Sequence, residues 1–125
     1  MGDRRGEGNA LMGLGLAYAA LGDARRAIGY YEQCLSIHRE IGDRREEANA
    51  LGNLGSAHLK LGETRRAMEY YEQALVMDRE IGDIAGAAAD SFNMARLYAQ
   101  QGEKARALEL AQEAARIYSQ IGHAQ

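Results

Sequence analysis

The chain contains no proline and no tryptophan, and only one phenylalanine and one cysteine among its 125 residues. Without proline, nothing of that kind breaks or kinks a helix, so long uninterrupted helices are permitted. The lone Cys34 cannot close an internal disulfide, which excludes a disulfide-framed secreted domain and fits a reducing compartment. No apolar run approaches the ~20 residues that a membrane-spanning helix needs, so no membrane partner is expected. Excess positive charge is lacking too. The 15 Lys and Arg face 18 Asp and Glu, a net charge of -3, and the two signs are interspersed. That leaves no basic stripe for a phosphate backbone, and nucleic acid is not an expected partner. The N-terminal residues lack the apolar stretch of a secretory signal, and Asp3 and Glu7 are out of place in a mitochondrial presequence. Gly6 stands where myristoylation at Gly2 wants Ser or Thr. A cytoplasmic location is the expectation.

What the chain does have is repetition. Gly-Asp recurs at Gly2-Asp3, Gly42-Asp43 and Gly82-Asp83, Gly122 keeps the phase, and a second glycine series falls midway at Gly22, Gly62 and Gly102. The period is 40 residues. Residues 2–41 and 42–81 are identical at 24 of 40 positions, whereas 42–81 and 82–121 share 11 of 40. The third unit has therefore drifted, and the whole chain, 1–125, reads as one array of units 2–41, 42–81 and 82–121.

Each half-unit carries a helical period. Ala50, Leu51, Leu54, Ala57, His58 and Leu61 fall three or four residues apart, as do Ala67, Met68, Tyr71, Ala74, Leu75 and Ile81. Glycine suits the left-handed residue after a helix, and the following Asp or Glu can accept the free N–H groups of the next one. Asp43 with Glu46 makes a capping-box pattern. Helices are expected near 4–21, 24–41, 44–61, 64–81, 84–101 and 104–121. Two-residue turns make neighbours antiparallel, and a narrow apolar face on one pair must be covered by the next. The expected fold is all-α: a right-handed α-solenoid of three helix-turn-helix repeats, six antiparallel helices in all.

The order Leu11, Leu14, Gly15, Tyr18, Ala27, Tyr31 and Cys34 resembles the tetratricopeptide repeat. The second unit matches with Leu51, Leu54, Gly55, His58, Ala67, Tyr71 and Ala74, and the third keeps Met94, Ala95, Tyr98, Ala107 and Ala114. Arg39 and Arg79 replace the family's proline, and Ala111 replaces an aromatic residue, so the last unit should pack more loosely. The 40-residue period is similar to the longer repeats of Pins-type adaptors, kinesin light chains and bacterial signalling regulators. The resemblance implies a concave groove, lined by the first helix of each pair, that binds an extended peptide or a partner segment.

First-helix positions pointing away from the core are Asn9, Asn49, Asn53, Ser56, Lys60, Phe92, Asn93, Arg96 and Gln100, beside Met12, Gly13, Leu16, Ala20, Gly52 and Leu59. Asparagine is a mediocre helix former, yet Asn9 recurs as Asn49 and Asn53 as Asn93. A carboxamide both donates and accepts, so a ladder of them can hold an extended backbone whatever its side chains. By resemblance, Asn53 and Asn93 serve that purpose. The alternative is that these residues are solvated or bond to a neighbouring helix. Lys60 and Arg96 could meet a carboxylate on the ligand, or be ordinary surface charges.

Other motifs carry less. The arginine pairs at 4–5, 25–26, 44–45 and 65–66 oppose the helix dipole, and Glu40 or Glu80 across the Gly-Asp turn should neutralise them; an anion-binding ridge is the sharper alternative. Of Tyr30-Tyr31 and Tyr70-Tyr71, one ring of each pair belongs in the core and the other should pack on the following unit. His38, His58 and His123 lack metal-ligand spacing, so no metal is expected. Gly13-Leu14-Gly15 follows no strand, and no cofactor is expected. No nucleophile, base and orienting residue converge, so the chain is not read as an enzyme. The reading is a protein-interaction scaffold. The alternative is a self-associating structural module, a homo-oligomer stacked end to end through terminal repeats that expose Leu108, Ile117 and Tyr118.

Overall fold

A computed structural model describes residues 3–124, with side chains described for 3–119. Gly2, at the start of the first expected unit, and the side chain of His123 lie outside the described residues. Six helices follow one another: α1 Arg4–Ala20, α2 Ala24–Ile41, α3 Arg44–Lys60, α4 Thr64–Ile81, α5 Ile84–Gln100 and α6 Lys104–Ala124. No strand occurs among the described residues. Packing runs chiefly between helices adjacent in sequence, as a one-dimensional stack requires.

The turns follow from their residues. Gly42 and Gly82 sit at φ 74° and 76°, a left-handed conformation that costs glycine little. The N–H of Asp43 then reaches back to the His38 carbonyl at 2.9 Å, closing the C-terminus of α2. Asp3, Asp23, Asp43 and Asp83 each accept a hydrogen bond from the backbone three residues on. Two details correct the expectation. The Asp43–Glu46 capping box is only half made, because the Glu46 carboxylate accepts from Asn49 instead. Glu63 caps nothing: its carboxylate meets Nδ1 of His58 at 2.9 Å. α6 continues to Ala124, past the expected end at 121. Gly42 and Gly82 precede an aspartate that starts a new helix, whereas Gly122 precedes His123.

The core forms where two helix pairs meet. Leu51, Leu54 and Leu97 are fully buried, each contributing about 1.5–3 kcal/mol. Tyr31 and Tyr71 are buried as expected, each over a glycine. A Cβ on Gly15 would lie 2.5 Å from the Tyr31 ring, and one on Gly55 2.9 Å from the Tyr71 ring. The same two places in the third unit hold Ala95 and Ala111, so a loss of ring volume is partly matched by a gained methyl. Leu14, by contrast, is 44% exposed where its counterpart Leu54 is buried. The pair α1–α2 covers Leu54, but no described helix packs on that side of α1.

Two surface expectations change. The contacts seen for Tyr30 and Tyr70 lie within their own unit. The two rings stack on their own first helix, Tyr30 on Tyr18 at 5.5 Å and Tyr70 on His58 at 5.2 Å between ring centroids. Of the arginines that open α1 and α3, Arg4 and Arg44 are neutralised by the far end of their own unit rather than across the turn, while Arg5 and Arg45 meet Asp43 and Asp83 at the start of the next unit. Arg4 pairs with Glu40 at 2.5 Å, and Arg44 pairs with Glu80. Antiparallel packing brings the start of one helix beside the end of its partner, so a separation of 36 residues in sequence becomes contact. Arg26 instead pairs with Asp23 within its own first turn.

Candidate functional site

A cavity of about 380 Å³ opens across the first helices of the three pairs. Met12 and Leu16 of α1 form one wall, Asn49, Gly52, Asn53 and Ser56 of α3 the middle, and Gly86, Asp90 and Asn93 of α5 the other wall. Asp78, near the end of α4, closes the floor. The helical period lines these side chains up, because residues three and four apart on one helix share a face.

Its carboxamides are only partly engaged. Asn53 is half-buried and its Nδ2 meets the Met12 sulfur at 3.2 Å, a weak acceptor. Asn93 accepts from the Arg96 guanidinium at 2.8 Å, which leaves its amide protons free among the described contacts. Asn49 is exposed and donates to Glu46 at 3.4 Å. Ser56 Oγ shares a hydrogen bond with the Tyr71 hydroxyl at 2.8 Å. Such a wall presents unused donors and acceptors at successive helices, which suits a chain running across them.

The remaining sequence candidates fall elsewhere. Lys60 lines an adjoining cavity of about 460 Å³ between α1 and α3, with Leu16, Ala20, Asn53 and Ser56. Phe92 and Arg96 line a cleft of about 680 Å³ over α5 and α6, with Ala95, Ala99, Leu108 and Ala111. There Phe92 stacks on Tyr118 at 5.9 Å. Asn9 and Gln100 are exposed and line none of these spaces. The structure thus brings Asn49, Asn53, Ser56 and Asn93 together and leaves the other five outside that cavity.

Sequence reasoning passed over Asp78 and Asp90, which are only 5% and 8% exposed. The signal was available in the register: Asp90 stands 40 residues after Ala50, a fully buried position. Burial pushes the Asp90 carboxyl up to about 8, and the hydrogen bond and charge of Asp78 act in the same direction. Burial likewise raises Asp78 above the usual carboxylate range, against the hydrogen bond from Asp90. Elsewhere, burial and then the charge of Glu46 push the Cys34 thiol up to about 11, the mark of an inert packing residue. The His58 hydrogen bond holds exposed Glu63 below its ordinary value.

Among the described residues, no three His, Cys, Asp or Glu side chains converge to hold a metal ion. No described helix is long and apolar enough to cross a membrane. A comparison with curated proteins finds no match. Among solved structures, the TPR domain of Arabidopsis FLU superposes with a TM-score of 0.85 at 19% identity, covering 93% of this chain and 98% of that one. BtubC (BKLC) from P. vanneervenii gives 0.85 at 21% identity over 92% of this chain and 48% of that one. A P. anserina protein of nearly identical TPR-like repeats, described in terms of kinesin light chain, gives 0.76 at 20% identity over 95% and 58%. The chain therefore spans about half the length of the last two, and at these identities the likeness is one of fold. Two family models, both described as tetratricopeptide repeat, match residues 6–80 and 53–120. With the helix pairs, the Gly-Tyr packing and these matches in agreement, the chain belongs to the tetratricopeptide repeat family.

Proposed function

We propose that residues 2–41, 42–81 and 82–121 act as one array that holds an extended peptide or a partner segment in the cavity across α1, α3 and α5. Members of this family generally mediate protein–protein interaction. The observation that carries the finer reading is the row of incompletely bonded carboxamides Asn49, Asn53 and Asn93 along one 380 Å³ cavity. The role is one of binding rather than catalysis, and a reducing, cytoplasmic setting suits the buried free thiol of Cys34. The test is the pair Asn53→Ala and Asn93→Ala, with peptide capture and thermal unfolding measured side by side. Capture should weaken at least tenfold, as expected from losing two hydrogen-bonding groups, while the unfolding midpoint moves little. Unchanged capture would remove these residues from the site.

A second reading, self-association, has its own support. Leu14 and Leu21 of the first pair are 44% and 80% exposed, and Leu108 of α6 is 60% exposed beside the cleft at Phe92. Apolar surface of this kind at both ends of a stack favours end-to-end contact. Sedimentation over a concentration series tests it: a mass that rises toward a dimer and is reset by Leu108→Glu supports it, and a constant monomer mass rejects it.

A further inference from the structure

Asp78 on the floor of the cavity and Asp90 on its α5 wall pair with each other, and no described hydrogen bond brings either carboxyl a donor from the rest of the protein. Two donors of the same neighbourhood, the Gly86 N–H and the Arg45 guanidinium, both go to Asp83. Burial and mutual repulsion favour one proton held between Asp78 and Asp90, against the weaker pull of the Arg45 charge on Asp78. Access to them is open because the residues beside them have no side chains. A Cβ on Gly52 would lie 3.7 Å from Asp90 Oδ1, and one on Gly86 would lie 3.0 Å from Asp78 Cγ.

The arrangement belongs to one junction only. One unit earlier the same places hold His38 and Ala50, both fully buried, with Glu46 where Gly86 stands. One unit later Tyr118 replaces Asp78, and Phe92 replaces Gly52. Resting on the groove reading above, we propose that Asp78 and Asp90 form a cation pocket that receives the side chain of an arginine, or less tightly a lysine, projecting from the peptide held in the groove. The pocket lies below the carboxamide row, so the incoming group must be long. It must also be cationic, because it meets acceptors that lack donors. A planar guanidinium brings five N–H groups and can bond both carboxylates at once. A metal ion fits less well, since no third ligand converges on the pair.

Binding of the cation displaces the shared proton, so affinity should rise with pH through the range in which Asp90 titrates. The charged groups around the pair are Arg45 and Glu46 on α3 and Asp83 at the start of α5; α1 contributes only Met12 and Leu16 to the cavity wall.

Arrays of otherwise random nonapeptides with the central residue fixed as arginine, lysine, citrulline or glutamate provide the test, probed with the full chain, with Asp78→Asn/Asp90→Asn and with Asn53→Ala/Asn93→Ala. Arginine-centred peptides should be retained about tenfold better than citrulline-centred ones, the scale of one charge-assisted bond pair. The double aspartate variant, which keeps the shape of the neutral pair, should erase that difference. Capture that ignores the central charge but is lost with the asparagine variant overturns the cation pocket and leaves the groove intact. Capture unaffected by either variant, or none at all, overturns both.

Discussion

The ring of Tyr71 lies against the backbone of α3 at Gly55, so close that a methyl group at position 55 would stand 2.9 Å from two ring carbons. Gly55→Ala should therefore force the ring outward and destabilise the fold by about 1–3 kcal/mol. Combining it with Tyr71→Ala should cost at least ~1 kcal/mol less than the sum of the single changes, because the clash needs the ring. Urea unfolding of the three variants measures this, and strict additivity would refute the contact.

Replacing Asp90 by asparagine should stabilise the protein in a pH-dependent way. The Asp90 carboxyl is raised in the folded state, from 3.8 to about 8, so the folded protein holds this proton more tightly than the unfolded chain. Stability is then greatest below the ordinary carboxylate value and is lost as pH rises toward 8. Asparagine does not titrate. The advantage of Asp90→Asn should be small near pH 4 and reach about 2–4 kcal/mol near pH 8, at 1.36 kcal/mol per pH unit less relaxation. Thermal melts across that range would show it, and a gap that is constant with pH would contradict it.

Cys34 should be chemically silent in the folded protein. It is fully buried and its thiol is pushed up to about 11, so little thiolate exists at neutral pH. Reaction with a disulfide reagent at pH 7.5 should be at least a hundredfold slower than in denaturant. A rate equal to the denatured one would place the thiol at the surface.

Removing the nitrogens of His38 should not harm the fold. The ring is 0% exposed and neither nitrogen has a hydrogen-bond partner among the described residues, the nearest acceptor given being the Asp43 carboxylate at 3.8 Å from Nδ1, a cost of about 1–3 kcal/mol for an unmet buried polar group. His38→Leu should leave the unfolding midpoint unchanged or raise it. A large drop would mean that the ring makes a polar contact beyond those described.

Most of the fold was legible in the residues. The 40-residue recurrence, the glycines between helices and the aspartates after Gly42 and Gly82 marked five of the six helices to within a residue at each end. The candidate groove was legible in part. Asn49, Asn53, Ser56 and Asn93 share a cavity because they lie on one helical face, whereas Phe92 and Arg96 turn toward the α5–α6 side. Position alone could not separate those outcomes, since the faces of a helix differ by a rotation that only packing fixes.

What the sequence determined by itself was the repeating unit: helix, glycine turn, antiparallel helix, each dictated by local backbone preferences and the 3.6-residue spacing of apolar groups. Tertiary packing decided the rest. It set Arg4 against Glu40, stacked Tyr70 on His58, left Leu14 uncovered and buried Asp78 beside Asp90. Those contacts join residues that are far apart along the chain, or depend on whether another helix lies over them, and a local pattern carries no record of either.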